Sequence, residues 1–580
     1  MRTIYAAEYG IRPGTDVTAA MRELFLRYPA DTVYVFEKGD YFLSPTEEMR
    51  ADYRLSNTNG MPCRVLGLWM QQMERCVFQG NGARLWFAGQ MQPITVDHCR
   101  DIRIENFIID WKKPMVAESE VVSYTEDAVD LYIDPQRYPH RFAGDTLEFD
   151  VGADEWYPLA GMVQYDKGSR CIRRVTGAGF ALDRIEELGN DVYRFFSRKP
   201  VDTDKGNIFV LRHNSRTHAA IFAEKCVDLV LEDITVHSCG GLGCLAQFCH
   251  NVTCRRVNFV PDTEAGRRIT SGRDDGMQIT CCSGVVTITE CVFNGLMDDP
   301  INIHGCCVAV EEAVDHRTLR CRYRHEQSRG FLYWAEKGDE IAVIERRHMS
   351  QAGTLKAASY SLESLDTFLL TLEEPLTGEL LAMAKDSEGL ALDNLSHTAA
   401  LICTKNRFGS CRARGVLVST PKPVVIAENY FESSGSSILV AGDSNYWFES
   451  GECNDVEIRD NVFTNQCLSA MYQFCEGVIS ICPVVPEPLV SMPYHKNIRI
   501  TGNLFDSADT PVLYAYSCGG LTFAKNRIFK SYAADSWYPG DWLIKLAYCR
   551  KVTLADNERI GKFGLKHFVV TEECEDVTLS

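Results

Sequence analysis

One eight-residue pattern recurs along the chain and constrains its fold more than any other feature. It carries apolar residues at its first, third and last positions and often Asn at its sixth. The copies are IRIENFII (102–109), LVLEDITV (229–236), VTCRRVNF (252–259), VTITECVF (286–293), VVIAENYF (424–431), VEIRDNVF (456–463), IRITGNLF (498–505), LTFAKNRI (521–528) and, with a degraded end, VTLADNER (552–559). Period-2 alternation with β-branched residues reads as strand and the Asn or Gly as turn, and neither Pro nor a 3.6-residue period supports a helix. Successive copies begin 23, 34, 32, 42, 23 and 31 residues apart where nothing larger intervenes. Such an interval suits one coil of a solenoid, whose inward faces are buried only by stacking on the next coil. The fold class is therefore all-β, a right-handed parallel β-helix.

Cys99, Cys226, Cys249, Cys453, Cys518 and Cys549 each lie three residues before a copy, so they are expected as a stacked interior column of small, soft side chains. The 24 cysteines contain no Cys-x-x-Cys pair, which argues against a metal framework. Asn429, Asn461, Asn503, Asn526 and Asn557 are expected as a turn ladder, since Asn tolerates the left-handed conformation and bonds backbone groups.

Two intervals, of 127 and 138 residues, break the rhythm and call for insertions. Each contains short strand-like segments divided by Gly, Asp and Pro, such as GDTLEFDV in the first and GDEIAVIE in the second, and each reads as a small antiparallel β-barrel or sandwich. The resulting plan is an N-terminal cap with the first coils (1–115), a first inserted barrel (116–211), coils (212–306), a second inserted barrel (307–402) and C-terminal coils (403–580). Near the start, Asp16 and Thr18 are candidate caps for an amphipathic helix covering the open end of the stack.

Charge narrows the partners. With 60 Lys and Arg against 79 Asp and Glu, the net charge of −19 repels phosphate backbones, so no nucleic acid is expected. No apolar run approaches the roughly 18 residues of a membrane span. Arg2, Glu8, Arg12, Asp16, Arg22 and Glu23 leave no apolar leader segment in the first thirty residues. The sequence as given thus reads as cytoplasmic, or as periplasmic or secreted if a leader is removed. Nothing in it excludes a homo-oligomer.

The chemistry is expected at SGRDDGMQIT (271–280) and MDDPINIHG (297–305), where two Asp-Asp pairs stand 24 residues apart. That offset stacks Met277 on Ile301 and Ile279 on Ile303 as inward residues, and sets Gln278 beside Asn302 and Thr280 beside His304 on an exposed surface. Coils roughly 4.8 Å apart bring the acids together. Like charges that close favour at least one protonated carboxyl near neutral pH. A protonated acid beside an ionised base is what glycosidic hydrolysis requires. Simple alternation turns Asp275 and Asp299 inward, so a bend at Gly276 and Pro300 is needed to bring them out. Arg273, Asp274, Gln278, Asn302 and His304 are candidate partners for substrate hydroxyls. Asp443, Trp447 and Glu449 follow the strand-like SILVAG and should project beside the acids, with Trp447 suited to the apolar face of a sugar ring. No metal or cofactor is expected, because four carboxylates without a dense carbonyl-supplying loop make a poor calcium site.

These motifs carry a resemblance. YAAEYGIRPGTDVTAAM (5–21) and VYVFEKGDYFL (33–43) resemble the entry segment of the pectate-lyase-like β-helix superfamily. SGRDDGMQ, MDDPINIHG and AGDSNYWFESG (441–451) together resemble glycoside hydrolase family 110, the α-1,3-galactosidases, over most of the chain, including the two inserted barrels. The resemblance implies an exo-acting, inverting, metal-independent hydrolase of terminal α-linked galactose, on blood-group-B-type or linear Galα1-3Gal glycans. It places Asp275, Asp298 and Asp299 as the acidic trio. By analogy with polygalacturonases, Asp298 is the general acid, and Asp275 and Asp299 activate water. The rival readings are a polysaccharide lyase or polygalacturonase-like hydrolase, for which only Arg273, Arg267 and Arg268 lie near as bases, and a non-catalytic carbohydrate-binding β-helix.

Overall fold

The computed structural model describes residues 1–60, 63–172, 179–263, 268–329, 331–449, 451–464, 466–532, 536, 538 and 540–580, which leaves Arg267 outside the described residues. The repeat stacks copy on copy. Leu229 pairs with Ile102 on one side and Val252 on the other, Val252 with Val286, and Val424 with Val456, all in parallel register. These strands belong to a 25-stranded sheet, and a 13-stranded sheet forms the other wall of the coil stack. The chain is a right-handed parallel β-helix, and helix Thr18–Arg27 covers its first coil. Met21, Leu24 and Phe25 of that helix join the interior core, while Asp16 Oδ1 accepts from the Thr18 N–H (3.0 Å) and so satisfies one free donor of its first turn. No helix among the described residues is long and apolar enough to cross a membrane.

Each position of the repeat has its own job. First and third residues are core, as Val252, Cys254, Val456 and Ile458 illustrate. The last position is a column of stacked rings, Phe293, Phe408, Phe431, Phe463 and Phe505, with successive centroids 5.2, 4.5, 5.0 and 4.8 Å apart. The left-handed residue of the turn is the fifth and not the Asn: φ is 59° at Glu428, 56° at Asp460 and 57° at Lys525. This corrects the conformational half of the reason offered for the Asn, while the bonding half holds: its amide is buried, and each Asn Oδ1 accepts from the backbone N–H of the Asn one coil earlier, as Asn461 does from Asn429 (2.9 Å) and Asn503 from Asn461 (3.0 Å).

The pattern has a further copy, LICTKNRF (401–408), whose strand Ala400–Thr404 pairs in parallel with Ser283–Thr289. The cysteine column is present, with Cys99, Cys226, Cys249, Cys453, Cys518 and Cys549 buried as free thiols, and Cys282 continues it because a register shift moves Ser283 opposite His250. Between the coils, residues 116–213 form a nine-stranded antiparallel sheet with its own apolar core, and Val308–Asn394 contain a closed six-stranded antiparallel barrel. The first insertion is tied to the coil ahead of the first Asp pair by Glu118, whose carboxylate accepts from the N–H groups of Ile269 (2.8 Å) and Thr270 (3.1 Å).

Candidate active site

Strands Met277–Thr280 and Ile301–His304 of the 13-stranded sheet pair as the offset of 24 requires: Met277 with Ile301, Gln278 with Asn302, Ile279 with Ile303 and Thr280 with His304. The acids precede these strands, at a corner of the coil where the backbone bends. At that corner the N–H of Gly276 donates to the Asp299 carbonyl (2.8 Å) and that of Met277 to the Pro300 carbonyl (2.7 Å). A Cβ at Gly276 would stand 2.6 Å from the Pro300 oxygen, so only Gly lets the two coils approach this closely. The bend frees the acids from strict alternation, and all four carboxyls gather on the same side of the sheet.

Arg216 is the common partner of three of them. Its Nη2 lies 2.5 Å from Asp298 Oδ2, 3.2 Å from Asp275 Oδ1 and 3.4 Å from Asp274 Oδ1. Asp299 is held separately by Arg414, through Nη2 (3.0 Å) and the backbone N–H (2.8 Å). Burial and three neighbouring carboxylates raise Asp275 well above the usual carboxylate range despite Arg216. Burial likewise pushes Asp299 up to about 6, with Arg414 opposing and Asp298 adding to the rise. Burial also works against ionisation of Asp274, but Arg273, Arg216 and Arg212 outweigh it and hold that carboxyl well below its ordinary value. Burial and the arginines thus push these carboxyls apart, Asp275 and Asp299 upward and Asp274 downward, the spread acid–base chemistry needs.

No protein-family model matches the chain. Its sequence is 35% identical over 573 residues to alpha-1,3-galactosidase B of Bacteroides thetaiotaomicron, an alignment covering 97% of this chain and 91% of the relative. The chain belongs to the alpha-1,3-galactosidase family. A further member, alpha-1,3-galactosidase B of Phocaeicola vulgatus, is 28% identical over 90% of this chain and 88% of its own length. Among solved structures, the family 28 exopolygalacturonase of Yersinia enterocolitica covers all of this chain at 10% identity and a TM-score of 0.43, a likeness too loose to carry an argument. As a galactosidase the protein is a glycoside hydrolase, which sets aside the lyase and the non-catalytic readings.

In this galactosidase, Arg273, Asp274, Asp275, Asp298, Asp299, Asn302, Asp443, Trp447 and Glu449 all line one cavity of about 370 Å³. The expected exposed surface is a correction: Gln278, Thr280, Asn302 and His304 are all at most 5% exposed, because the insertions and neighbouring loops roof the sheet here. Gln278 and His304 do not line the cavity. They lie beneath it, with Gln278 Nε2 2.6 Å from His304 Nε2, and that ring nitrogen 3.6 Å from Glu449 Oε1. Glu449 also accepts from Asn57 Nδ2 (3.1 Å) and Asn302 Nδ2 (3.5 Å), so these side chains aim one carboxylate into the cavity. Asp443 has both oxygens engaged by the backbone N–H groups of Asn445, Tyr446 and Trp447, and shapes the loop that presents Trp447 and Glu449. Arg273 serves Asp274 and the carbonyls of His213 and Asn214, so it braces the turn that carries Arg216.

Sequence reasoning missed Arg212, Arg216, Arg414 and Tyr472, which also line the cavity. For Arg414 a signal exists. The overlooked copy LICTKNRF stands 115 residues after VTITECVF, and the same offset pairs Ile301 with Val416 and lays Arg414 beside Asp299. Arg216 has no such signal, because it sits in the turn that re-enters the solenoid after the first insertion.

Proposed function

We propose that this galactosidase is exo-acting and inverting, releasing a terminal α-1,3-linked galactose from blood-group-B-type or linear Galα1-3Gal glycans without a metal. The observation that carries the reading is the convergence of Asp275, Asp298 and Asp299, from adjacent coils, on one cavity with Trp447 and Glu449. Asp298 is the general acid: its side chain is 14% accessible whereas those of Asp275 and Asp299 are 4%, so it best meets a glycosidic oxygen entering the cavity. Asp299, ionised above about pH 6, takes the proton from the attacking water. Asp275, held 3.2 Å from the Arg216 nitrogen, shares the activation of that water. Trp447 supplies an apolar face for the ring, and Glu449 with Asn302 pairs its hydroxyls. The insertions support exo action, since Ala160 and Arg212 from the first and Gln327 from the second wall the cavity.

One observation favours a different stereochemical course. Asp275 Oδ1 and Asp298 Oδ2 touch the same Arg216 nitrogen, which keeps these two oxygens within about 6 Å, short of the roughly 6.5–9.5 Å usual between the acid and base of an inverting enzyme, so a course with Asp275 as nucleophile is the alternative. Proton NMR of the protein with Galα1-3Gal decides between them. β-Galactose appearing first, at a rate unchanged by EDTA, is expected. α-Galactose first would make one carboxylate a nucleophile, and no release from this disaccharide would sink the assigned linkage. Asp298→Asn should lower turnover by about 10²–10⁴-fold, and near-full activity would remove it as the acid.

A further inference from the structure

Beyond Trp447, assigned above to the galactose ring, stand aromatic rings that the chemistry at the cavity floor does not use. Trp447 and Phe474 line the cavity, and Tyr446 bridges the two outside, its ring centroid 5.5 Å from Trp447 and 6.4 Å from Phe474, both edge to face. Tyr446 is 56% exposed. A large aromatic that open to water is normally held loosely. Here the backbone around it is fixed: the buried Asp443 carboxylate accepts the N–H groups of Asn445 (2.6 Å), Tyr446 (2.5 Å) and Trp447 (2.8 Å). Asn445 Nδ2 further ties the loop to the Arg346 carbonyl of the second barrel (3.0 Å). The fold therefore spends a buried carboxylate on keeping an exposed tyrosine in place, and a ring held in advance of binding loses little entropy when a ligand stacks on it.

We propose that Tyr446, with Phe474 and the outer edge of Trp447, is the platform for the aglycone, the neutral hexose rings on the leaving-group side of the scissile bond. The proposal rests on the reading that a terminal galactose is removed. If that galactose fills the enclosed end beside the carboxyls, the rest of the glycan leaves through the mouth, and the platform is continuous with the cavity wall there. Sugar rings present C–H faces that pack on aromatic rings, and the amides of Gln327 and Gln473, both lining the cavity, suit uncharged hydroxyls. The platform then makes the enzyme prefer chains with at least one ring beyond the scissile bond.

The test compares the parent protein with Tyr446→Ala on methyl α-galactoside, which has no sugar beyond the bond, and on a trisaccharide with two hexose rings beyond it. Tyr446→Ala should lower kcat/KM on the trisaccharide about tenfold, chiefly through KM, and leave methyl α-galactoside within about twofold. Tyr446→Trp should restore the trisaccharide rate. Equal losses on both substrates would make Tyr446 a support of the loop and overturn the proposal, as would an unchanged trisaccharide rate. Titration with lactose, a neutral disaccharide without an α-galactoside, followed by NMR, reads the platform separately from hydrolysis. Binding weakened by Tyr446→Ala supports the platform even if the parent cleaves neither substrate, an outcome that would sink only the terminal-galactose reading. Lactose binding that is absent or indifferent to the substitution overturns the platform.

Discussion

Asp299 is the residue at which charge and catalysis can be separated most cleanly. Its carboxyl is pushed up to about 6 by burial, and Arg414 is the largest influence pulling it down. If Asp299 is the base, the rate falls as pH drops through its pKa, because only the carboxylate can take a proton from water. Removing the positive charge raises that pKa by roughly 1–3 units, so Arg414→Met should move the acid limb of the kcat/KM profile upward by that amount. Asp298 and Glu449, the other carboxylates acting on Asp299, remain in the variant and push the same way. Arg414→Lys should shift the limb less, since the charge survives. A limb that stays in place in Arg414→Met would assign it to another group. The acids were legible because they are adjacent in sequence and a single coil offset stacks them. Of their arginines, Arg414 was legible only through the overlooked copy 401–408 and its 115-residue offset, and Arg216 was not, because it lies in the turn that re-enters the solenoid after the first insertion.

The repeat is the element that makes this fold readable, and its sixth position is its costliest to lose. Asn461 Oδ1 accepts from the N–H (2.9 Å) and the Nδ2 (3.0 Å) of Asn429, and its own Nδ2 donates to the Ile426 carbonyl (2.9 Å) and to Asn503 Oδ1 (3.0 Å). Truncation to Ala leaves a buried N–H and a buried carbonyl without partners, each costing about 1–3 kcal/mol. Asn461→Ala should therefore destabilise the protein by about 2–4 kcal/mol, read as a fall in the urea midpoint, whereas Thr553→Ala on an exposed strand position should stay within about 0.5 kcal/mol. Equal midpoints in the two variants would mean that water replaces the ladder at no cost. Alternation and the Phe and Asn positions were visible in the sequence because they repeat with the coil. The left-handed fifth residue was not, since Glu, Asp, Lys and Gly all occupy it and the coil stack, not the residue type, imposes the conformation.

At the scale of the molecule, the solenoid supplies the acids and the insertions turn an open sheet into an enclosed cavity. The second barrel does so at a distance: His325 lies against Trp447 with centroids 4.5 Å apart, and Arg346 reaches the loop that carries Trp447 and Glu449. Arg346 Nε donates to the Ser444 carbonyl (2.9 Å), its own carbonyl accepts from Asn445 Nδ2 (3.0 Å), and its guanidinium lies over Phe448. None of these atoms lines the cavity, so Arg346 is a positioning residue. Losing its side chain removes the bond to the Ser444 carbonyl and the contact with Phe448, loosening the loop on the barrel, while the backbone bond to Asn445 remains and Asp275, Asp298 and Asp299 are untouched. A displacement of about 1 Å in groups that orient substrate can cost roughly 10²-fold, so Arg346→Ala should lower kcat/KM by about 10- to 100-fold. The loss should fall on KM as well as kcat, and the pH profile should nearly keep its limbs, because burial and Arg414, the largest influences on Asp299, stay in place. Arg317→Ala, on an exposed turn of the same barrel, should match the parent enzyme in both. If Arg346→Ala also matches the parent, the solenoid alone holds Trp447 and Glu449 in place, and the second barrel acts only as a wall. A loss confined to Arg346→Ala makes the joint between barrel and solenoid part of what positions the sugar.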